Sequence, residues 1–434
     1  MSKLSRRSFL LASAAAAAAG GRAFAQGTGA GKPEFLVVVL AEGGWDVTFV
    51  FDNKEGVQDI DGPEVDMDPN EQEDVEALAT YGGIPIVENR FKRPFVSDYF
   101  EKWHGISSVV NGLWMGSIAH DPCRFRILTG TQDGTRPDMA TIVGYTHGVD
   151  LPLGSVDLSG WSLNGPLAAS SGRIGTNSQL LPLVDNTVLF QPDVSVGRPY
   201  PIWRNDLVDP GNVDLDAFLA ARTEAMSLKR GGDVINDKRL NDLGISLERA
   251  TRFRTEGADI IGSLTLGTKA TLQTQTDMAA SLLVDGLCKA VTIDSRKDWD
   301  THDMNVAQHG HFNLLFLGLD TLLSSLEARG ILDRTLVCVI SEMTRTPRIN
   351  GAMGKDHWGH TSAMLIGAGV RGSTMVGGTD NNLESLPVNF DTGALNDAGQ
   401  LNKYENLSAG ILEMLDVDPE EWLPGVEPYR GVKA

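Results

Sequence analysis

The run Phe35-Leu36-Val37-Val38-Val39-Leu40 is apolar at every position and rich in β-branched residues, which predicts a strand buried on both faces of a parallel sheet. It opens into Ala41-Glu42-Gly43-Gly44-Trp45-Asp46, a glycine turn carrying an aspartate at the strand's carboxyl end. A second short apolar run, Ile106 to Val110, is followed by Ser117-Ile118-Ala119-His120-Asp121-Pro122-Cys123-Arg124 and then Ile127-Leu128-Thr129-Gly130. Ala290 to Ile293 predicts another strand, leading into Asp298-Trp299-Asp300-Thr301-His302. Phe312, Leu315, Phe316, Leu319, Leu322, Leu323 and Leu326 then recur at helical spacing, and Gly330 ends the helix. Thr335 to Ile340 predicts a further buried strand, ending in Ser341-Glu342-Met343; Ala363 to Ile366 predicts one more, after Asp356-His357-Trp358-Gly359-His360-Thr361. Strand, helix and strand alternate, so the fold class expected is α/β, with a mostly parallel central sheet covered on both faces.

Two segments interrupt this pattern. Residues from about 150 to 265 form an expected insertion: a stretch rich in Gly, Pro, Ser and Asn to about 213, then amphipathic helices over Asp214–Lys229 and Leu240–Ile261. Residues 52–76 hold eleven acids against Lys54 alone, read as a solvated acidic loop. A calcium site on Asp59, Asp61, Asp66 and Asp68 is the alternative there, but the glycine that an EF-hand loop needs at its sixth position is not in place.

The N-terminus changes the picture of compartment. Ser5-Arg6-Arg7-Ser8-Phe9-Leu10-Leu11, an alanine-rich stretch and Ala23-Phe24-Ala25 form a basic region, a short apolar region and a small-x-small cleavage site. Residues 1–25 are therefore expected to be a cleaved export signal of the twin-arginine type, leaving one α/β domain over 26–434. The expectation is a periplasmic or secreted protein that meets the twin-arginine export machinery. No later stretch is long and apolar enough for a transmembrane segment.

Charge narrows the partners. Cleavage removes Lys3, Arg6, Arg7 and Arg22 and no acid, so the formal charge falls from −20 to −24. Such a chain is a poor ligand for nucleic acid. Cys123, Cys288 and Cys338 are too few and too far apart for a disulfide framework or a zinc ribbon.

The chemistry-bearing residues fall at predicted strand ends: Asp46, then Asp300 with His302, then Glu342, then Asp356, His357 and His360. Carboxyl ends of parallel strands converge at one sheet edge, where carboxylates and imidazoles suit a divalent metal. Zinc matches the mixed nitrogen and oxygen donors best, with manganese, iron, calcium or magnesium as alternatives. The structural alternative for each residue is plain: a strand-end aspartate also caps a following helix, and a loop histidine also packs. Five of the eight histidines lie between His302 and His360, which favours a site; His309 and His311 start the long helix, and His104 and His147 read as structural.

Gly43-Gly44-Trp45-Asp46, Trp299-Asp300-Thr301-His302, Ser341-Glu342-Met343-Thr344-Arg345-Thr346-Pro347, Asp356-His357-Trp358-Gly359 and Gly367-Ala368-Gly369-Val370-Arg371-Gly372, in that order, resemble the secreted bacterial family known as domain of unknown function 1501. Through it the chain resembles the alkaline phosphatase and sulfatase superfamily. The resemblance implies an alkaline-phosphatase-like three-layer sandwich. It also implies metal ligands at Asp46, Asp300, His302, Glu342 and either His360 or His357. His120 stands where sulfatases carry their nucleophile, at the same spacing from Leu128-Thr129-Gly130, and Met343 stands where a further ligand is expected. The implied function is an exported metal-binding hydrolase of a small phosphate or sulfate ester. His120 would then be base or covalent acceptor, with Arg124 or Arg345 clamping the anion. The alternative is a non-catalytic exported protein that keeps the fold, with a structural metal, and binds or assembles with a surface partner.

Overall fold

The computed structural model describes residues 31–173, 208–230, 232, 234–256 and 271–434. The export signal over residues 1–25 and the middle of the insertion lie outside the described residues. Twelve strands appear in them: β1 Phe35–Leu40, β2 Ala77–Tyr81, β3 Ile84–Glu88, β4 Ser107–Trp114, β5 Ser155–Asp157, β6 Ser171–Arg173, β7 Ala290–Asp294, β8 Thr335–Ile340, β9 Thr344–Arg345, β10 His357–Trp358, β11 His360–Gly367 and β12 Thr374–Gly377. Eight of them form one sheet in the order β12-β4-β11-β8-β1-β7-β5-β6. β1 lies between β7 and β8 and runs parallel to both, with Val38 opposite Thr292 on one side and Cys338 on the other. Only β11 runs against the rest, antiparallel to β8 and β4. The sheet is thus mostly parallel, as the apolar runs require.

Alternation along β1 explains the layers. Val37 and Val39 face one core, with the helices Pro94–Trp103, Leu272–Val284 and Ala307–Ala328; Leu36, Val38 and Leu40 face the other, with His120–Thr129, Met139–His147 and Tyr404–Met414. A strand buried on both faces cannot afford polar side chains, which is why its sequence shows no alternation. The helices of the insertion span Val208–Arg230 and Val234–Glu256 and pack against each other. No helix among the described residues is long and apolar enough to cross a membrane.

An aromatic cluster ties the first core to the sheet edge. Trp45 stacks on Phe312 at 6.0 Å, and Trp299 meets the same ring edge-on at 4.9 Å. Both tryptophans are fully buried, each anchored by about 1.5–3 kcal/mol of apolar burial. Each precedes a strand-end aspartate, Asp46 or Asp300, so packing fixes where those carboxylates sit.

The acidic segment is less solvated than its composition suggests. Glu76 receives two hydrogen bonds from Arg93, at 3.0 and 2.5 Å, and Asp74 pairs with Lys92 at 2.8 Å; all but Lys92 of these are buried. Burial raises the Asp74 pKa, but Lys92, the Asp68 amide and Asn89 outweigh it and hold the carboxyl down at about 2. The four aspartates of the calcium alternative do not gather. Asp59 pairs with Arg348, Asp61 accepts from the Ile349 amide at 2.8 Å, Asp68 accepts from Asn70, and Asp66 faces His309 at 4.0 Å.

Candidate metal centre

The site begins with the turn after β1. Ala41 donates to Ile340 O at 2.8 Å, which carries the β1–β8 pairing one residue past the strand. Gly43 and Gly44 then take φ of +120° and +94°. A Cβ on Gly43 would stand 2.6 Å from the Asp300 nitrogen, so the turn and the 299–300 loop touch backbone to backbone. That close approach needs glycine.

Arg345 locks this arrangement. Its fully buried guanidinium donates to Gly43 O, to Gly44 O at 2.8 Å, to Lys355 O at 3.2 Å and to Asp300 Oδ1 at 2.8 Å. Burial works to raise the Asp300 pKa, but Arg345 and His357 outweigh it and hold the carboxyl at about 2. Asp300 is therefore held as an anion at neutral pH. The expected anion clamp at Arg345 is spent on backbone carbonyls and this carboxylate. Arg124 is likewise committed: it pairs with Glu42 and with Asp121 at 3.0 Å, and lies 3.9 Å over the Trp161 ring.

Three imidazoles surround Asp300. Nε2 of His302 and of His357 each lie 3.1 Å from its Oδ1, and Nε2 of His120 lies 3.4 Å from its Oδ2. The ligand atoms of His120, Asp300 and His357 all lie within 4.8 Å of one another. The two Nε2 atoms of His302 and His357 are 2.9 Å apart. On each ring the other nitrogen has its own acceptor: Glu342 Oε1 at 3.0 Å for His120, Asp356 Oδ1 at 2.9 Å for His302, and Ile118 O at 2.8 Å for His357. Nδ1 is anchored in all three, and Nε2 faces the aspartate. The Glu342 hydrogen bond, against the cost of burial, raises the pKa of His120.

The remaining expected ligands lie elsewhere. Asp46 is fully buried 2.7 Å from the Lys355 ammonium, and accepts from Asn305 at 2.9 Å and from Thr48 at 2.6 Å. A buried lysine thus already neutralises it. His360 turns its Nδ1 to Ser385 Oγ at 2.8 Å, and burial lowers its pKa. The structure therefore brings His357, not His360, to the group. Glu342 sits behind His120 on the Nδ1 side, close to a carboxylate the sequence reading passed over. That residue is Glu42, whose ligand atom lies within 4.8 Å of those of His120 and Glu342. Burial, then the Glu342 charge, raise the pKa of Glu42. Its position two residues past β1 was the available signal, since the rule that singled out Asp46 applies equally to it. Cys123, three residues past His120, is buried, donates to Ser117 O at 3.2 Å, and burial pushes its thiol up to about 11.

Residues 212–427 match the family described as "Protein of unknown function (DUF1501)". Over those residues the chain is similar to this family. The DUF1501 match takes in Asp300, His302, Glu342, Arg345 and His357, while Glu42, His120 and Arg124 precede it. No curated protein matches the chain. Among solved structures it is similar to Ps i-CgsB, at 11% identity over 92% of this chain and 75% of that one, with a TM-score of 0.42. It is also similar to the lipoteichoic acid synthase LtaP from Listeria monocytogenes (8% identity, 94% and 78% covered, TM-score 0.40). A third is the alkaline phosphatase from the Antarctic bacterium TAB5 (11% identity, 81% and 96% covered, TM-score 0.34).

Proposed function

We propose that this chain is an exported metal-binding protein of hydrolase type, acting on a small phosphate or sulfate ester. The observation that carries the reading is the convergence of three imidazole Nε2 atoms on Asp300, each ring tied back through Nδ1. The donor set fits a metal, because the buried His120 Nε2 has no hydrogen-bond partner and Asp300 is held ionised. The nitrogens of His120 and His357 with the Asp300 carboxylate, whose ligand atoms lie within 4.8 Å of one another, suit zinc, with manganese or iron next in line. When bound, such an ion polarises a phosphoryl or sulfuryl oxygen and makes water acidic enough to attack near neutral pH.

The protein's own groups set limits on that chemistry. Arg124 and Arg345 hold carboxylates, so the charge of an anionic ester has to be met at the metal position. Glu42, with its raised pKa, is the group beside His120 suited to hold or release a proton. No hydroxyl or free thiol starts the helix at His120, which excludes the covalent serine or cysteine route at that position. The same observation supports a second reading, a non-catalytic exported protein with a structural metal and a surface partner.

Purified mature protein loaded with zinc or manganese, assayed on aryl phosphate, phosphodiester and aryl sulfate, separates the two. Turnover that disappears in Asp300→Asn and His357→Ala supports the hydrolase. Metal-loaded protein inert on all three classes favours the binding role, and equal metal content in wild type and both variants sinks the site. For export, Arg6→Lys with Arg7→Lys is expected to leave the protein in the cytoplasm with its signal uncleaved.

A further inference from the structure

We propose that Glu342 is a positioning residue: its carboxylate keeps a proton on His120 Nδ1 and thereby turns the Nε2 lone pair toward Asp300 and His357. The proposal rests on the metal-site reading above and assigns a role that differs from ligation.

The geometry is specific. Glu342 is fully buried at the end of β8, and its Oε1 accepts from the Gly43 amide at 2.8 Å and from His120 Nδ1 at 3.0 Å. That oxygen is filled by two donors, while Oε2 is buried with no hydrogen-bond partner. The neighbouring Ser341 hydroxyl donates to Ala41 O at 2.7 Å, so the β8 end and the β1 turn are stitched together around the carboxylate. Glu342 has little freedom to swing.

His120 needs such a partner. It stands at the first turn of the helix His120–Thr129, whose cap residue Ala119 offers no side-chain hydrogen bond, so nothing on its own helix fixes the ring. The Glu342 contact and the edge-on packing against His357, with ring centroids 4.3 Å apart, orient it instead. A neutral imidazole carries one proton, and the nitrogen with an anionic acceptor keeps it. Nε2, which has no hydrogen-bond partner, is then the free donor. His302 Nδ1 likewise meets an anionic acceptor, the Asp356 carboxylate. Carboxylate-to-histidine pairs of this kind orient metal ligands and raise their basicity.

A competing arrangement uses the Glu42, His120 and Glu342 group, whose ligand atoms also lie within 4.8 Å. It would require Glu42 to leave Arg124, which donates to it. Asp300 gives its Oδ1 to Arg345 and turns its Oδ2 toward His120 Nε2.

The test uses mature protein titrated with zinc and with cobalt(II), together with the imidazole nitrogen spectrum of metal-free protein above the histidine titration range. Glu342→Gln is expected to weaken zinc affinity by about 10–100-fold, with one site retained and the cobalt spectrum unchanged in shape. His357→Ala is expected to abolish that site. In wild type the ring assigned by His120→Gln is expected to be the Nδ1–H tautomer, and in Glu342→Gln to shift toward Nε2–H. A cobalt spectrum that changes coordination in Glu342→Gln overturns the proposal by making Glu342 a ligand, as does an Nε2–H ring in wild type. Protein that binds neither metal yet keeps the Nδ1–H tautomer defeats the metal reading and leaves the positioning of His120 standing.

Discussion

At the scale of single residues, two buried groups make sharper predictions than the site itself. Asp46 and Lys355 are both fully buried and 2.7 Å apart. Removing one partner leaves a buried charge uncompensated, so Lys355→Met is expected to cost about 3–5 kcal/mol in urea unfolding. Asp46→Asn in the same chain is expected to restore most of it, because the remaining amide is neutral. His309 is the second case. Burial, then the Arg93 charge, depress its pKa to about 2, so it stays neutral in the fold. The unfolded chain takes up that proton below about pH 6.5, which favours unfolding. Stability is therefore lost as pH falls from about 6.5 toward 2, at a limiting slope of about 1.4 kcal/mol per pH unit. His309→Gln is expected to flatten this part of the slope between pH 7.5 and 5 in urea midpoints. An identical slope in the variant would remove His309 from the account. None of these pairings was readable in the chain, since Asp46 and Lys355 are more than 300 positions apart and meet only when β1 and the 346–356 loop come together.

At the scale of elements, the strands explain why the site is where it is. β7, β1 and β8 are neighbours and parallel, so the loops after each leave the sheet on the same edge. The strands were legible because a two-sided burial needs uninterrupted apolar residues: β1 and β8 have the expected bounds, and β7 extends one residue further. The reversal of β11 was not legible, because an apolar strand reads alike in both directions. That reversal starts β11 at the site, brings in His357 from the short β10 just before it, and leaves His360 on Ser385. The Gly43 turn is the weak joint. Gly43→Ala is expected to cost about 1–3 kcal/mol in backbone strain and to push the Asp300 loop away. Metal affinity should fall together with stability, as seen by zinc titration and urea unfolding on the same protein.

At the scale of the whole molecule, ligand linkage offers a test that does not depend on turnover. A metal held only by the folded protein stabilises it by about 2.7 kcal/mol at a free concentration one hundred times its dissociation constant. Zinc is expected to raise the melting temperature of the mature protein, chelator to reverse the rise, and Asp300→Asn to show neither effect. A shift that survives in Asp300→Asn would place the binding elsewhere. The acidity of the chain, −20 overall, does not oppose an anionic substrate at the site. Much of the charge in residues 52–76 is local, and Asp74 and Glu76 are already neutralised by Lys92 and Arg93.

The sequence by itself determined the α/β class, the positions of the central strands and the candidacy of Asp300, His302 and His357. Burial pattern and strand-end position are local properties that each short segment carries alone. Only the tertiary structure decided which candidates meet. It paired Asp46 with Lys355, turned His360 aside, spent Arg124 and Arg345 on carboxylates, placed Glu342 behind His120 and added Glu42. The reason is physical: whether a side chain is a ligand, a clamp or a counter-charge depends on the partner that comes within about 3 Å of it. Strands from both halves of the chain set that partner, and no spacing within one segment records it.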